Sequence, residues 1–103
     1  MSSDLSLPRE YKRRVESAFN GRVMRVVLYG SRARGDAQAD SDWDIAVFLE
    51  GEPSSDDLNR LADLGTDLLY ETGQFIQPLP IASRRLDEQS RLLCAIRSEG
   101  VPL

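Results

Sequence analysis

Apolar residues follow two rhythms along this chain, one with helical spacing and one with strand spacing. In "LPREYKRRVESAFN", Tyr11, Val15, Ala18 and Phe19 recur at three- and four-residue intervals, which predicts a helix from Leu7 to Asn20 with one apolar stripe. Pro8 suits its first turn, and Gly21 ends it. "RVMRVVLY" then carries apolar side chains on both faces, as a strand in the middle of a sheet does. A polar loop from Gly30 to Ser41 separates it from a second apolar strand, about Trp43 to Leu49. "GEPSSDD" reads as a turn in which Ser54 or Ser55 caps the next helix, with acidic residues favourable in its first turn. Leu58, Leu61, Ala62, Gly65, Leu68 and Leu69 give that helix an apolar face, and Gly73 stops it. "QFIQPLPI" is a short third strand; Pro78 cannot donate a ladder hydrogen bond, which places the strand at an edge or ends it there. A last helix is expected from about Ser83 to Ser98, turning Leu86, Leu92, Leu93 and Ile96 inward before Gly100 and Pro102 terminate it. The order is αβαβαβα. It predicts an α/β fold, a small mixed sheet of about three strands with flanking helices, in one domain over residues 1–103.

Composition narrows what such a fold can do. With 41% hydrophobic and 29% charged residues, the chain reads as ordinary globular protein rather than disorder. It has no histidine, which excludes histidine metal sites and Ser-His or Cys-His catalysis within the chain. A net charge of −4 argues against direct nucleic-acid binding, which needs surplus Lys and Arg against phosphate. Cys94 is the single cysteine, so no internal disulfide forms, and within "LLCAI" it reads as packing like a small apolar residue. No apolar run approaches the ~20 residues of a membrane span. "MSSDLSLPREYKRR" lacks the basic-then-apolar order of a leader, so a cytoplasmic location without membrane contact is expected. Arg84, Arg85, Arg91 and Arg97 read as a solvated helix face, with Arg84 and Glu88 paired at i,i+4 spacing.

Burial does not explain the stretch "VVLYGSRARGDAQADSDWDIAVFLEG". Asp42 and Asp44 at the start of a strand point to one face with Cα atoms about 6.6 Å apart, and Trp43 points to the other. Two carboxylates so placed can converge on a hard cation, and Mg²⁺ takes one or two carboxylates together with substrate phosphates. Gly30 after an apolar strand lets backbone approach a ligand closely, and Ser31 follows with N–H groups and a hydroxyl. A short helix starting near Ser31 would favour phosphate at its N-terminus, and Arg32 and Arg34 could add charge-assisted contacts. Taken singly, D-x-D is commonly a solvated strand end, Gly-Ser a turn, and the arginines a solvated loop. The combination of strand, Gly-Ser, ten residues, Asp-x-Asp and strand carries the functional signal.

That combination, G-S-x10-D-x-D within "YGSRARGDAQADSDWDIAVF", resembles the signature of the polymerase-beta-like nucleotidyltransferase superfamily. The compact size and the "GSRARGDA…SDWD" wording resemble its minimal nucleotidyltransferase (MNT) branch. The resemblance implies transfer of AMP from Mg-ATP to a hydroxyl with release of pyrophosphate. Gly30 and Ser31 would then hold phosphates, and Asp42 and Asp44 would be the catalytic metal ligands, in principle for two ions about 3.5–4 Å apart. It further implies an antitoxin role beside a HEPN-type toxin as partner protein, with a toxin hydroxyl as one possible acceptor. Oligomeric state is left open. The chain departs from the family pattern at one place. Active members carry a third carboxylate on the later core strand, where this chain has Gln77 and no acid between Gln74 and Ser83. Glu71 and Asp87 flank that strand as the acids that could reach inward. Three readings follow: a weak enzyme, one completed by its partner, or a catalytically deficient module that acts by nucleotide or partner binding only. Transfer to a small molecule is disfavoured, because little chain remains to build an acceptor pocket.

Overall fold

The computed structural model describes residues 4–103; Met1 to Ser3, the first residues of the stretch read for a leader, lie outside the described residues. The elements are α1 (Ser6–Phe19), β1 (Val23–Tyr29), α2 (Ser31–Arg34), β2 (Trp43–Leu49), α3 (Ser55–Thr72), β3 (Ile76–Ala82), a 3₁₀ turn (Ser83–Arg85), α4 (Arg91–Glu99) and β4 (Val101–Pro102). The sheet has four strands in the order β3-β2-β1-β4. β1 runs antiparallel to both β2 and β4, and β2 runs parallel to β3 through the α3 crossover.

Side-chain alternation along β2 sorts the core into two layers. Ile45, Val47 and Leu49 join Val26, Leu28 and Ile76 beneath α1 and α3, where Tyr11, Val15, Phe19, Leu61 and Leu68 are buried. Ala46 and Phe48 join Val27 and Ile81 beneath α4, through Leu93 and Ile96. Trp43 belongs to the first layer and is only 6% exposed. No helix among the described residues is long and apolar enough to cross a membrane.

Tertiary contacts change the inward face of α3. Leu58 and Ala62, expected in the core, are exposed, and the buried positions are Asp57, Leu61, Gly65 and Leu68. Asp57 is first aligned by a capping box: Asp57 N donates to Ser54 Oγ (3.1 Å) and Ser54 N donates to Asp57 Oδ2 (2.9 Å). Arg22 then forks onto both Asp57 oxygens at 2.8 and 3.1 Å, which holds the carboxylate inward. The Arg22 hydrogen bond, followed by the Ser54 backbone bond, lowers the Asp57 carboxyl to about 2. A depressed carboxyl contributes stability above its unfolded value, and that stability is lost as pH falls through the folded value. The native protein should therefore lose stability between about pH 4 and about pH 2, starting from the ordinary 3.8. Asp57→Ala should cost about 1–2 kcal/mol at neutral pH and flatten that acid limb, as urea melts at several pH values would read.

β3 continues through both prolines rather than stopping at Pro78. The carbonyl of Phe75 accepts from Trp43 N (2.9 Å), so Gln77, Leu79 and Ile81 turn their backbone groups toward β2 by alternation. Pro78 and Pro80 consequently place their missing donors on the open edge, where they cost no ladder bond and discourage strand addition.

The expected single last helix is two pieces. Ser90 caps α4 by accepting from Leu93 N, which starts a new helix after the 3₁₀ turn and rotates Leu92 outward while Leu93 and Ile96 stay buried. Leu86 is half-buried. Arg97 donates to the carbonyls of Leu86 and Glu88 and fastens the intervening bend. Arg84 pairs with Glu52 and Arg85 with Glu88, in place of the Arg84–Glu88 pair. Cys94 is half-buried beside Arg97. Gly100 ends α4, as expected, and leads directly into β4. A Cβ there would lie 2.2 Å from the carbonyl oxygen of Ile96 and 2.5 Å from Val27 Cγ1. Only glycine lets α4 dock this closely to β1.

Candidate active site

Strand register brings the sequence-distant parts of the site together. Asp44 lies opposite Tyr29 of β1 on one side and opposite Gln77 of β3 on the other. Paired residues share a sheet face, so Tyr29, Asp44 and Gln77 all lie on the α4 side, with Asp42 two residues before Asp44. Immediately after β1, Gly30 adopts φ +76 and ψ −158, a conformation essentially reserved for glycine. A Cβ at Gly30 would sit 2.4 Å from Asp44 Oδ2. The backbone at the strand end is thus pressed against the carboxylate. The Gly30 carbonyl accepts from Ala33 N and Arg34 N, each at 3.0 Å, which starts α2 at Ser31. The first N–H groups of that turn have no partner within it.

Electrostatics single out Asp44. Its carboxyl is raised, first by burial and then by the charge of Asp42, while Arg34 acts in the opposite sense. Asp42 is exposed and Asp44 half-buried. Two carboxylates on one face, one partly desolvated, form a donor set suited to a hard divalent cation. Burial, followed by the Asp44 charge, raises the Tyr29 phenol, which therefore remains protonated at neutral pH.

The two loop arginines separate. Arg34 reaches Asp36 (3.3 Å) and Glu99 (3.4 Å) and lies on the carboxylate side, where its charge is felt by Asp44. Arg32, expected to meet phosphate, instead donates to the carbonyls of Ala39 and Ser41 and stacks 4.2 Å from the centre of the Trp43 ring. Since Trp43 faces away from Asp42 and Asp44, Arg32 braces the loop from behind. Ser31 is half-buried at the start of α2, and its carbonyl accepts from Gly35 N and Asp36 N. A cavity of about 360 Å³ lined by Leu7, Arg32, Trp43 and Gln74 also lies on this rear side, away from the carboxylates.

Neither acid that flanks β3 in sequence replaces the third carboxylate. Glu71 accepts from Arg14 at 2.9 and 3.0 Å, against α1. Asp87 lines a separate cleft of about 250 Å³ with Arg25, Val27, Leu86 and Ile96. Gln77 is exposed. No group of three His, Cys, Asp or Glu side chains able to hold a metal occurs among the described residues. Glu99, held by Arg34, is the acid of this region that sequence reasoning missed. Its approach depends on where α4 begins, and no motif marks that.

Comparison with known proteins agrees with this fold. The family model described as "Polymerase beta, Nucleotidyltransferase" matches residues 14–101. A candidate protein adenylyltransferase of Methanocaldococcus jannaschii is 32% identical over 71 residues, 69% of this chain and 66% of the relative, so the chain spans about two thirds of that protein's length. Among solved structures, a minimal nucleotidyltransferase superposes with a TM-score of 0.61 at 29% identity, covering 98% of this chain and 97% of that one. A toxin–antitoxin crystallised with AMP-PNP gives 0.63 at 19% identity, covering 90% and 69% of the two chains. A complex of tri-AMPylated Shewanella oneidensis HEPN toxin with MNT antitoxin gives 0.55 at 16% identity, covering 93% and 70%. The last two likenesses speak to fold alone. With 88 of its 103 residues within the matched model and the Gly-Ser turn packed on Asp44, the chain belongs to the polymerase beta nucleotidyltransferase family.

Proposed function

We propose that the protein transfers AMP from ATP to a hydroxyl on a partner protein, a HEPN-type toxin, as the antitoxin of a toxin–antitoxin pair in the cytoplasm, with residues 1–103 acting as one domain. The observation that carries this reading is the approach of Gly30 to Asp44, 2.4 Å from a would-be Cβ, with the first N–H groups of α2 adjacent. Ser31 and those N–H groups would hold the phosphates. Arg34, held on the carboxylate side by Asp36 through Nε and by Glu99 through Nη1, would turn its remaining N–H donors to phosphate oxygens. Asp42 and Asp44 would hold Mg²⁺, which when bound supplies positive charge against the phosphates. In the transfer, the acceptor oxygen forms a bond to the α-phosphorus and the bond to pyrophosphate breaks; the acceptor proton leaves to solvent. The similar proteins support this reading by name: a protein adenylyltransferase, and an MNT antitoxin beside an AMPylated HEPN toxin.

A second reading, a module that works by nucleotide or partner binding without chemistry, is favoured by Gln77 at the place of the third acid. One experiment separates them. The protein is incubated with ATP, Mg²⁺ and the HEPN-type protein encoded beside it, and the partner is weighed by mass spectrometry. Addition of one or more AMP groups, lost with Asp42→Asn plus Asp44→Asn, supports transfer. An unmodified partner that both versions neutralise equally supports the binding-only reading.

A further inference from the structure

Asp44 has two neighbours across the sheet, and they determine what else can join it. On β1 the neighbour is Tyr29, whose phenol is a poorer ligand for a hard cation than a carboxylate. On β3 it is Gln77, directly in register and on the same face. Position 77 is therefore the one place beside Asp44 in the sheet from which a further anionic ligand could be supplied. Gln77 is exposed, so its side chain is not committed to packing the core. Acids elsewhere are engaged or distant: Glu99 and Asp36 by Arg34, Glu71 by Arg14, and Asp87 in the separate cleft.

We infer that Gln77 limits this site to a single protein-held divalent cation per bound nucleotide, and that one carboxylate at this position would convert it to a two-cation site. Asp42 and Asp44 together with phosphate oxygens suffice for one Mg²⁺. A second ion about 3.5–4 Å away would need a further anionic ligand beside Asp44, and position 77 is where β3 could supply it. There the chain offers one neutral amide, whose carbonyl oxygen lacks charge and whose NH₂ group repels a cation. The same amide can donate to an anionic oxygen beside Asp44 in place of ligating a metal. This inference rests on the proposed metal role of Asp42 and Asp44, and its test separates the two.

The probe is Mn²⁺ with an ATP analogue that cannot be cleaved between the α- and β-phosphates. Protein-retained Mn²⁺ is counted per retained nucleotide by equilibrium dialysis and paramagnetic resonance. The native protein should retain one ion per nucleotide, Gln77→Glu two, and Gln77→Leu one. A second readout is thermal: Gln77→Glu should melt lower than the native protein without Mn²⁺, through repulsion with Asp44, and gain more than it on Mn²⁺ addition. Two ions in the native protein, or one in a folded Gln77→Glu, would overturn the inference while leaving the metal role intact. Nucleotide-independent or absent Mn²⁺ retention in every variant would overturn the metal role and the inference with it.

Discussion

Asp44→Asn should weaken Mg²⁺-dependent ATP binding by at least ~100-fold while making the nucleotide-free protein more stable at neutral pH. The two effects have opposite signs because the same carboxylate would serve a ligand and burdens the fold. Its ionised form is disfavoured by burial and by the charge of Asp42, only partly offset by Arg34. A carboxyl raised in the folded state contributes stability below its unfolded value, and that contribution is lost as pH rises through the folded value. At neutral pH the ionised Asp44 is therefore a net cost, which the amide removes. With a cation bound, the balance reverses, since the repulsion between Asp42 and Asp44 becomes shared attraction. Calorimetric titration with Mg-ATP and a thermal melt of the same sample measure both effects. Undiminished binding would remove Asp44 from the metal site; a lower melting temperature would show that its side chain supports the fold in a way the geometry does not indicate.

Gly30→Ala should be the single-methyl change most damaging to nucleotide binding, costing about 1–3 kcal/mol of stability and reducing that binding by about 100-fold. Two costs coincide there. The backbone at φ +76 and ψ −158 is strained for any residue with a Cβ, and that Cβ would meet Asp44 Oδ2 at 2.4 Å. Either the Asp44 side chain or the strand end must move, and both separate the carboxylate from the start of α2. Gly73→Ala provides the comparison, because Gly73 has φ +78 at the end of α3 but nothing within 4 Å of a Cβ. That variant should show the conformational cost of roughly 1 kcal/mol with nucleotide binding unchanged. If the two variants bind nucleotide equally well, the contact between Gly30 and Asp44 does not matter to the site. Chemical denaturation with parallel nucleotide titration makes the comparison.

Much of this arrangement was readable from local patterns, and the failures have a common origin. The strands around the Gly-Ser turn were legible because alternation and left-handed glycine geometry are properties of a few consecutive residues. The ends of α3 were legible for the same reason, through Ser54 and Gly73. Its inward face was not, since Asp57 is drawn in by Arg22, thirty-five residues away in sequence. The last helix was misread because its apolar residues fit one continuous pattern, whereas Ser90 and the Arg97 contacts to two carbonyls break it. β4 escaped notice altogether, as two residues carry no period and only their pairing with Val27 and Leu28 defines them.

The site divides along the same line. By itself the sequence determined that Gly30 and Ser31 end one strand and that Asp42 and Asp44 open the next on one face. Each of these follows from backbone geometry within one strand or turn. Only the tertiary structure decided that Asp44 lies between Tyr29 and Gln77, because strand order and register depend on how α3 and α4 pack on the sheet. It also decided that Arg32 turns back onto Trp43 while Arg34 and Glu99 lie on the carboxylate side. Neighbouring arginines with identical chemistry were assigned opposite faces by what lay within reach of each, and that distinction arises from packing rather than from residue type.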